Sequence, residues 1–439
     1  MTPFFVLITT FVYAPYFAAG LAPNPIAGQA LWGYATSAAG LGIAVLSPML
    51  GAISDETGPR KPWIAGLGVA LVLGTATLWL GRPGDPSMIL PMLTAYAIGS
   101  VGAQGVSVFV NAIMPTLVPA RRLGRLSGTG SSVGYLGGLS SLFFVLGFLA
   151  ANPQTGRTLL GLTPLFGLDP MLRAGDRAAG PLTALWFLAF AVPLFLFTPD
   201  QKRKLGVRAA TRKGLATLVQ TLSQVRHYRN VCMFLVANMI YADGLVALFS
   251  FGVIYAAGTL GWGTVQNGIF GILLLIAGTF GTFAGGRLDD RFGSKPVIIG
   301  GLIVLILASM AILSIDRDRI AFVVAVAPPV AGGGLFAAAA ERAYVVIGLA
   351  IGLVVGPLQA SSRTLLARLA PLDRLNQFFG LFALSGRVTS FVAPFVVAEV
   401  TRVTASQKAG MAVLILFFIA GMLVLARVRV GRPSQTFDV

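Results

Sequence analysis

Two ionisable side chains lie deep inside apolar stretches of this sequence. Asp243 sits in Asn238-Met239-Ile240-Tyr241-Ala242-Asp243-Gly244-Leu245, and Arg387 in Ser385-Gly386-Arg387-Val388. A charge at the centre of a hydrocarbon core costs roughly 2.5–3.5 kcal/mol on insertion scales, and such residues mark functional sites by default. The carboxyl of Asp243 can load and release a proton, because burial favours the neutral acid and a nearby guanidinium favours the carboxylate. Arg387 can hold a carboxylate or phosphate through paired hydrogen bonds. Together they can bind the amino and carboxyl groups of one amino acid. A structural Asp–Arg pair is the plain alternative. Glu399, further along the same stretch as Arg387, lies near its outer end and reaches water.

Six other polar residues in apolar stretches are candidates for lining a cavity: Tyr34, Gln104, Asn111, Asn238, Tyr241 and Gln359. Each can equally serve as a hydrogen-bond partner between helices. A single histidine, His227, and a single cysteine, Cys232, leave no His/Cys metal cluster and no intramolecular disulfide. No phosphate-binding Walker loop, His-Glu zinc motif or Ser-centred nucleophile elbow is found. The expectation is a protein that is not an enzyme. It needs no metal and no cofactor beyond a coupling proton.

The elements that must position these residues follow from composition. Of 439 residues only 11% are charged and 56% are hydrophobic. A soluble domain carries about 25% charged residues. A span needs about 20 apolar residues, and twelve candidates fit, near 3–22, 28–50, 63–81, 87–112, 128–150, 180–198, 231–257, 265–286, 296–314, 342–361, 377–399 and 408–426. The fold class expected is therefore an all-α integral membrane protein with twelve transmembrane helices. Residues 3–22 read as a retained span, since no basic segment precedes them. Residues 151–179 and 315–341 read as interfacial loops on the outer side.

The net charge of +17 would suggest nucleic acid if the charges were clustered without regard to spans. With both termini in the cytoplasm, 22 of the 32 basic residues fall on the inner side and nine on the outer side or its rim. That is the positive-inside pattern, and it removes most of the case for a nucleic-acid partner. Residues 199–230, the most basic segment, read as a cytoplasmic linker. High Ala, Gly and Arg usage suggests a bacterial inner membrane.

Two inner loops repeat each other. Gly51, Asp55, Gly58 and Arg60 align with Gly286, Asp290, Gly293 and Lys295 at an offset of 235, and Pro119, Arg122, Leu123, Gly128 and Gly134 align with Pro371, Arg374, Leu375, Gly380 and Gly386 at 252. Such matches in corresponding loops indicate duplication. They divide the chain into an N-terminal six-helix bundle (1–198), the linker (199–230), a C-terminal six-helix bundle (231–427) and a tail (428–439).

The repeated Gly-x-x-x-Asp-x-x-Gly-x-Arg/Lys loop resembles the signature of the major facilitator superfamily, whose two halves are parallel repeats. By that resemblance Asp55 would cap the start of span 11 and Asp290 the start of span 5, latching an inner gate. Longer stretches resemble one branch, the group related to the autophagy-linked vacuolar amino-acid effluxers. They include Asn111-Ala112-Ile113-Met114-Pro115, Tyr241-Ala242-Asp243-Gly244, Gly285-Gly286-Arg287-Leu288-Asp289-Asp290 and Gly356-Pro357-Leu358-Gln359-Ala360. The resemblance implies a monomeric secondary transporter in the lipid bilayer that moves a small polar solute, such as an amino acid or organic anion, by alternating access. It places spans 4, 7 and 10 on the cavity. Members of the group usually carry an acidic Tyr-Asp-Trp-Ala-Asn-like stretch at the cytoplasmic start of span 1, which would fall just before Thr2. Two other readings stay open: a lipid or lysolipid transporter of the same fold, and a non-transporting membrane sensor or scaffold.

Overall fold

The computed structural model describes residues 2–117, 133–134, 136–200, 209, 211, 228–329, 334–370, 378, 381–382, 385–386 and 389–429. Within these, the side chains of 2–4, 47–48, 51–56, 111–112, 114–116, 283, 286 and 290 lie outside the description. The described chain is almost wholly helical. Eight helices are long and apolar enough to cross a membrane: Lys61–Leu80, Pro86–Val110, Ala174–Phe197, Arg229–Leu260, Thr264–Asp289, Ser294–Leu313, Ala339–Leu369 and Gln407–Ala426. Shorter apolar helices cover Phe5–Leu21 and Leu136–Leu149.

In chain order the helices are α1 (2–21), α2 (Pro25–Thr57), α3 (Lys61–Thr77, closed by the 3-10 turn Leu78–Leu80), α4 (Ile89–Leu117), α5 (Leu136–Leu149) and α6 (Ala174–Phe197). They continue as α7 (Arg229–Leu260), α8 (Thr264–Phe292), α9 (Ser294–Leu313), α10 (Ala339–Leu369), α11 (Val392–Thr404) and α12 (Gln407–Ala426). Helix α1 is broken by two π turns, Thr9–Tyr13 and Phe17–Leu21. It is buried nearly all round, with Val12, Tyr16 and Phe17 at 0% exposure. A helix apolar on every side belongs in the interior of a bundle. Here α1 packs on α6 and, in the C-terminal part, on α7 and α8.

Small residues set the closest helix approaches. Helix α10 carries Gly348, Gly352 and Gly356 at four-residue spacing, facing Phe270, Leu274, Gly278 and Thr282 of α8. Lipid supplies no hydrophobic drive between helices, so backbone approach at such glycines is what holds a pair together. In the N-terminal part, Gly74 of α3 lies against Gly99 of α4, where a Cβ would come within 2.5 Å of the Gly99 nitrogen. Helices α2 and α11 pack together as well, joining the N-terminal part of the chain to the C-terminal part.

Among the boundaries that differ from the sequence expectation, two helix starts bear on the site. Helix α6 begins at Ala174 rather than near 180, and α10 at Ala339 rather than near 342. The early starts bring Asp176, Arg177 and Glu341 inside helices, where their side chains find partners. The segment 315–341 contains a short antiparallel hairpin, Arg319–Ile320 against Val324–Ala325.

Candidate functional site

Helix α7 crosses the interior with 61% of its most apolar window buried. Asp243 lies near its middle and is 2% exposed. Its neighbour Gly244 sits against Phe417 and Phe418 of α12, so a larger residue there would push the helices apart. Among the described residues, Asp243 Oδ1 and Thr389 Oγ1 each have no hydrogen-bond partner. The Thr389 hydroxyl is near enough to act on the carboxyl, but the pair falls short of hydrogen-bond geometry. A buried carboxyl with an unused oxygen is costly as an anion. Arg387, its expected partner, lies outside the described residues, as does the side chain of Asn111.

The remaining cavity candidates lie on α2, α4, α7 and α10. Tyr241 is 1% exposed and its hydroxyl meets Ser362 Oγ of α10 at 2.7 Å, which joins two helices. Asn238 is buried on α7, Gln104 is half-buried on α4, and Gln359 is exposed on α10. Tyr34 is drawn elsewhere. Its hydroxyl donates to Glu399 Oε2 of α11 at 2.5 Å.

That bond belongs to a clasp between α2 and α11. Gln29 Nε2 donates to Thr401 Oγ1 at 2.9 Å, and Ser37 Oγ to the Phe391 carbonyl at 2.5 Å. Arg402 grips Glu399 through both its Nε and Nη2. Gly33 permits the approach, since a Cβ there would stand 2.6 Å from that of Ala398. A second clasp joins α6 to α8. Asp176 accepts from Arg173 Nε at 2.7 Å and from the Thr264 hydroxyl, and Arg173 Nη2 donates to Thr264 at 3.0 Å. Both clasps tie the N-terminal part to the C-terminal part at the end of the bundle opposite the repeated loops.

Sequence reasoning missed Asp176 and Arg177 because it began that span too late. Arg177 is 4% exposed. Its Nε and Nη2 donate to the Trp79 carbonyl at 2.9 and 2.6 Å, and it stacks over the Trp79 ring at 4.7 Å. Tyr13 donates to the Leu78 carbonyl at 3.1 Å and Tyr16 to the Gly81 carbonyl at 2.5 Å. Three side chains thus satisfy the orphan carbonyls that end α3. The available signal was Arg173 to Arg177 flanking Asp176 immediately before an apolar run.

At the other end of the bundle, Gly58 and Gly293 both have positive φ, +97° and +86°, which explains the glycine in each repeat. The gate residues Asp55 and Asp290, and the side-chain surroundings of Gly51 and Gly286, lie outside the described residues. Among the described residues at this end, Asp200 caps a helix start, accepting from the backbone nitrogens of Arg60 and Lys61 at 2.9 and 3.1 Å. One pairing of the repeat is corrected. Lys295 donates to the Ala426 and Val428 carbonyls at 2.8 Å each, and its counterpart is Lys61, which donates to Phe195 at 2.8 Å, rather than Arg60. The second loop is one residue shorter after its glycine. Nearby, Asp289 faces Arg368 Nη1 at 3.7 Å.

The vacuole effluxer Atg22-like family model matches residues 19–437. The chain belongs to that family. It is 23% identical over 98% of its length to an uncharacterized MFS-type transporter, YxiO, of Bacillus subtilis, covering 92% of that protein. It is 26% identical to Autophagy-related protein 22 of Cryptococcus neoformans over 71% of this chain, and spans about half (51%) of that relative's length.

Its fold is that of solved transporters. The inward-open xylose transporter XylE from E. coli superposes with a TM-score of 0.63 at 14% identity, over 99% of this chain and 94% of that one. A bacterial homolog of the human lysosomal transporter Spinster, in an inward-facing and unoccupied conformation, gives 0.63 at 15%, over 97% and 92%. This member of the Atg22-like family is thus an integral membrane transporter of the major facilitator type, not an enzyme.

Proposed function

We propose that this Atg22-like protein is a proton-coupled secondary transporter that moves a small polar solute, an amino acid or an organic anion, by alternating access. Its twelve spans form two six-helix bundles, 1–198 and 231–427. The basic linker 199–230 joins them, and both termini are cytoplasmic. The structure then represents the inward-facing end of the cycle, since both clasps close the outer side. Proton is the coupling ion, no other cofactor is needed, and the working unit is a monomer in a bacterial inner membrane.

The observation that carries this reading is the Asp243 carboxyl, buried on the central helix α7 with Oδ1 unpartnered among the described residues. A carboxyl that is neutral while buried, and ionised when the cavity opens to water, carries one proton per cycle. Arg387, Asn111, Gln104, Asn238 and Gln359 are the proposed solute-facing residues. The solute's own charge decides whether its carboxylate lies on Arg387. Proteoliposomes with an imposed proton gradient provide the test. Uptake of radiolabelled amino acids and organic anions is measured with and without the gradient, together with lumenal pH. Solute flux that moves no protons and ignores the gradient would remove the coupling.

A further inference from the structure

At the inner end of the bundle, where α7 begins and α12 ends, lies a cavity of about 840 Å³. Among the described residues, every charged residue lining it is an arginine: Arg229, Arg427 and Arg429. Among the described residues, none of these three guanidinium groups takes part in a hydrogen bond or ion pair. Five other basic side chains of the bundle contrast with this. Lys61 and Lys295 hold carbonyls, Arg173 and Arg402 hold carboxylates, and Lys408 holds Asp316 at 2.6 Å. At the carbonyl end of α12, Lys295 donates to the Ala426 and Val428 oxygens. On α8, Asp289 faces Arg368 Nη1 at 3.7 Å. The floor is apolar, formed in part by Met233 and Leu369, with Asn230 at the rim.

We propose that this cavity binds the phosphate headgroup of an anionic phospholipid of the inner leaflet. A phosphate diester needs several donors at once, and arginine forks supply them in matching geometry. Basic pockets between helices at the cytoplasmic surface are suited to such headgroups. The apolar floor lets the first acyl carbons follow the phosphate, which a free phosphate would not use. The site lies away from Asp243 and from both clasps. It depends on the inside placement of this end only for its biological setting, since binding can be measured on purified protein without transport.

The test uses the full chain in a neutral detergent, with thermal unfolding followed as phosphatidylglycerol, phosphatidylcholine or inorganic phosphate is added. Phosphatidylglycerol is expected to raise the unfolding midpoint, with the other two giving little at equal concentration. Each Arg→Gln change among the three should weaken the apparent affinity for phosphatidylglycerol about fivefold. The triple Arg→Lys variant should keep most of it, and Arg402→Gln on the outer face should keep all of it. Equal effects of phosphatidylcholine, an unchanged affinity in the triple Gln variant, or an equal shift from inorganic phosphate would overturn the proposal. Should the Gln variants fail to fold, native mass spectrometry of the wild type decides. A phosphatidylglycerol adduct preferred over phosphatidylcholine and stripped by salt supports the site, and one indifferent to headgroup or salt rejects it.

Discussion

Lys61 and Lys295 do the same work in the two halves of the chain. Each ammonium reaches from the start of a third helix to the final carbonyls of the sixth, Phe195 in one half and Ala426 with Val428 in the other. A cation at a helix C-terminus is worth about 0.3–1 kcal/mol when exposed and up to about 2 kcal/mol when partly buried. Lys295 makes two such bonds and Lys61 one. Lys295→Met is therefore expected to lower unfolding stability by about 1–2 kcal/mol and Lys61→Met by about 1 kcal/mol. Because the sites share no partner, the double variant should sum the two. Chemical unfolding in mild detergent measures all three.

The Tyr34–Glu399 bond predicts a conformational effect. It joins α2 to α11 across the outer clasp, and Glu399 is also held by Arg402. Losing one hydrogen bond at this half-exposed position costs about 1 kcal/mol. Tyr34→Phe should raise the outward-open to inward-open ratio about fivefold. Gly33→Val should act more strongly, because its side chain would enter the space of Ala398 and the Pro394 carbonyl. Spin labels at Ser87→Cys and Val323→Cys, in a Cys232→Ser background, report the outer separation. Distances unchanged in Gly33→Val would show that the clasp does not set the state.

Much of this was legible in the sequence for physical reasons. Apolar runs near 20 residues have few alternatives to a membrane helix, and the second glycine of each repeated loop, Gly58 or Gly293, sits at positive φ. The repeated loops and Asp243 were read from residue type and placement alone. Arg177 was not, because a hydropathy reading ends a span where charges begin, whereas the structure continues α6 through them and uses the arginine to satisfy α3. Tyr34 and Tyr241 were read as cavity residues. Nothing in a single sequence tells a tyrosine that faces a cavity from one whose hydroxyl reaches another helix.

Arg177 gives a third expected outcome. Its guanidinium makes two bonds to one carbonyl and stacks on the Trp79 ring, all within a buried site. Arg177→Met would leave the Trp79 carbonyl short of a donor and lose the cation–π contact, for a loss of about 2–3 kcal/mol. Arg177→Lys keeps the charge but not the planar fork, so it should recover less than half. Equal stability of the Lys and wild-type proteins, by thermal unfolding, would mean that charge alone matters.

Asp243→Asn separates proton coupling from a structural role. The amide is close in size to the carboxyl and carries no ionisable proton, so the packing of Gly244 against Phe417 and Phe418 should survive. If the carboxyl carries the proton, gradient-driven accumulation should fall at least tenfold. Exchange of labelled for unlabelled solute, which needs no net proton movement, should persist. Asp243→Leu supplies the contrast, since it removes the polar group as well as the proton. A variant that folds, exchanges and still accumulates solute against a gradient would assign the proton to another residue. Loss of exchange together with accumulation in Asp243→Asn would instead place the carboxyl in contact with the solute, and lowered solute affinity in a binding assay would show that directly.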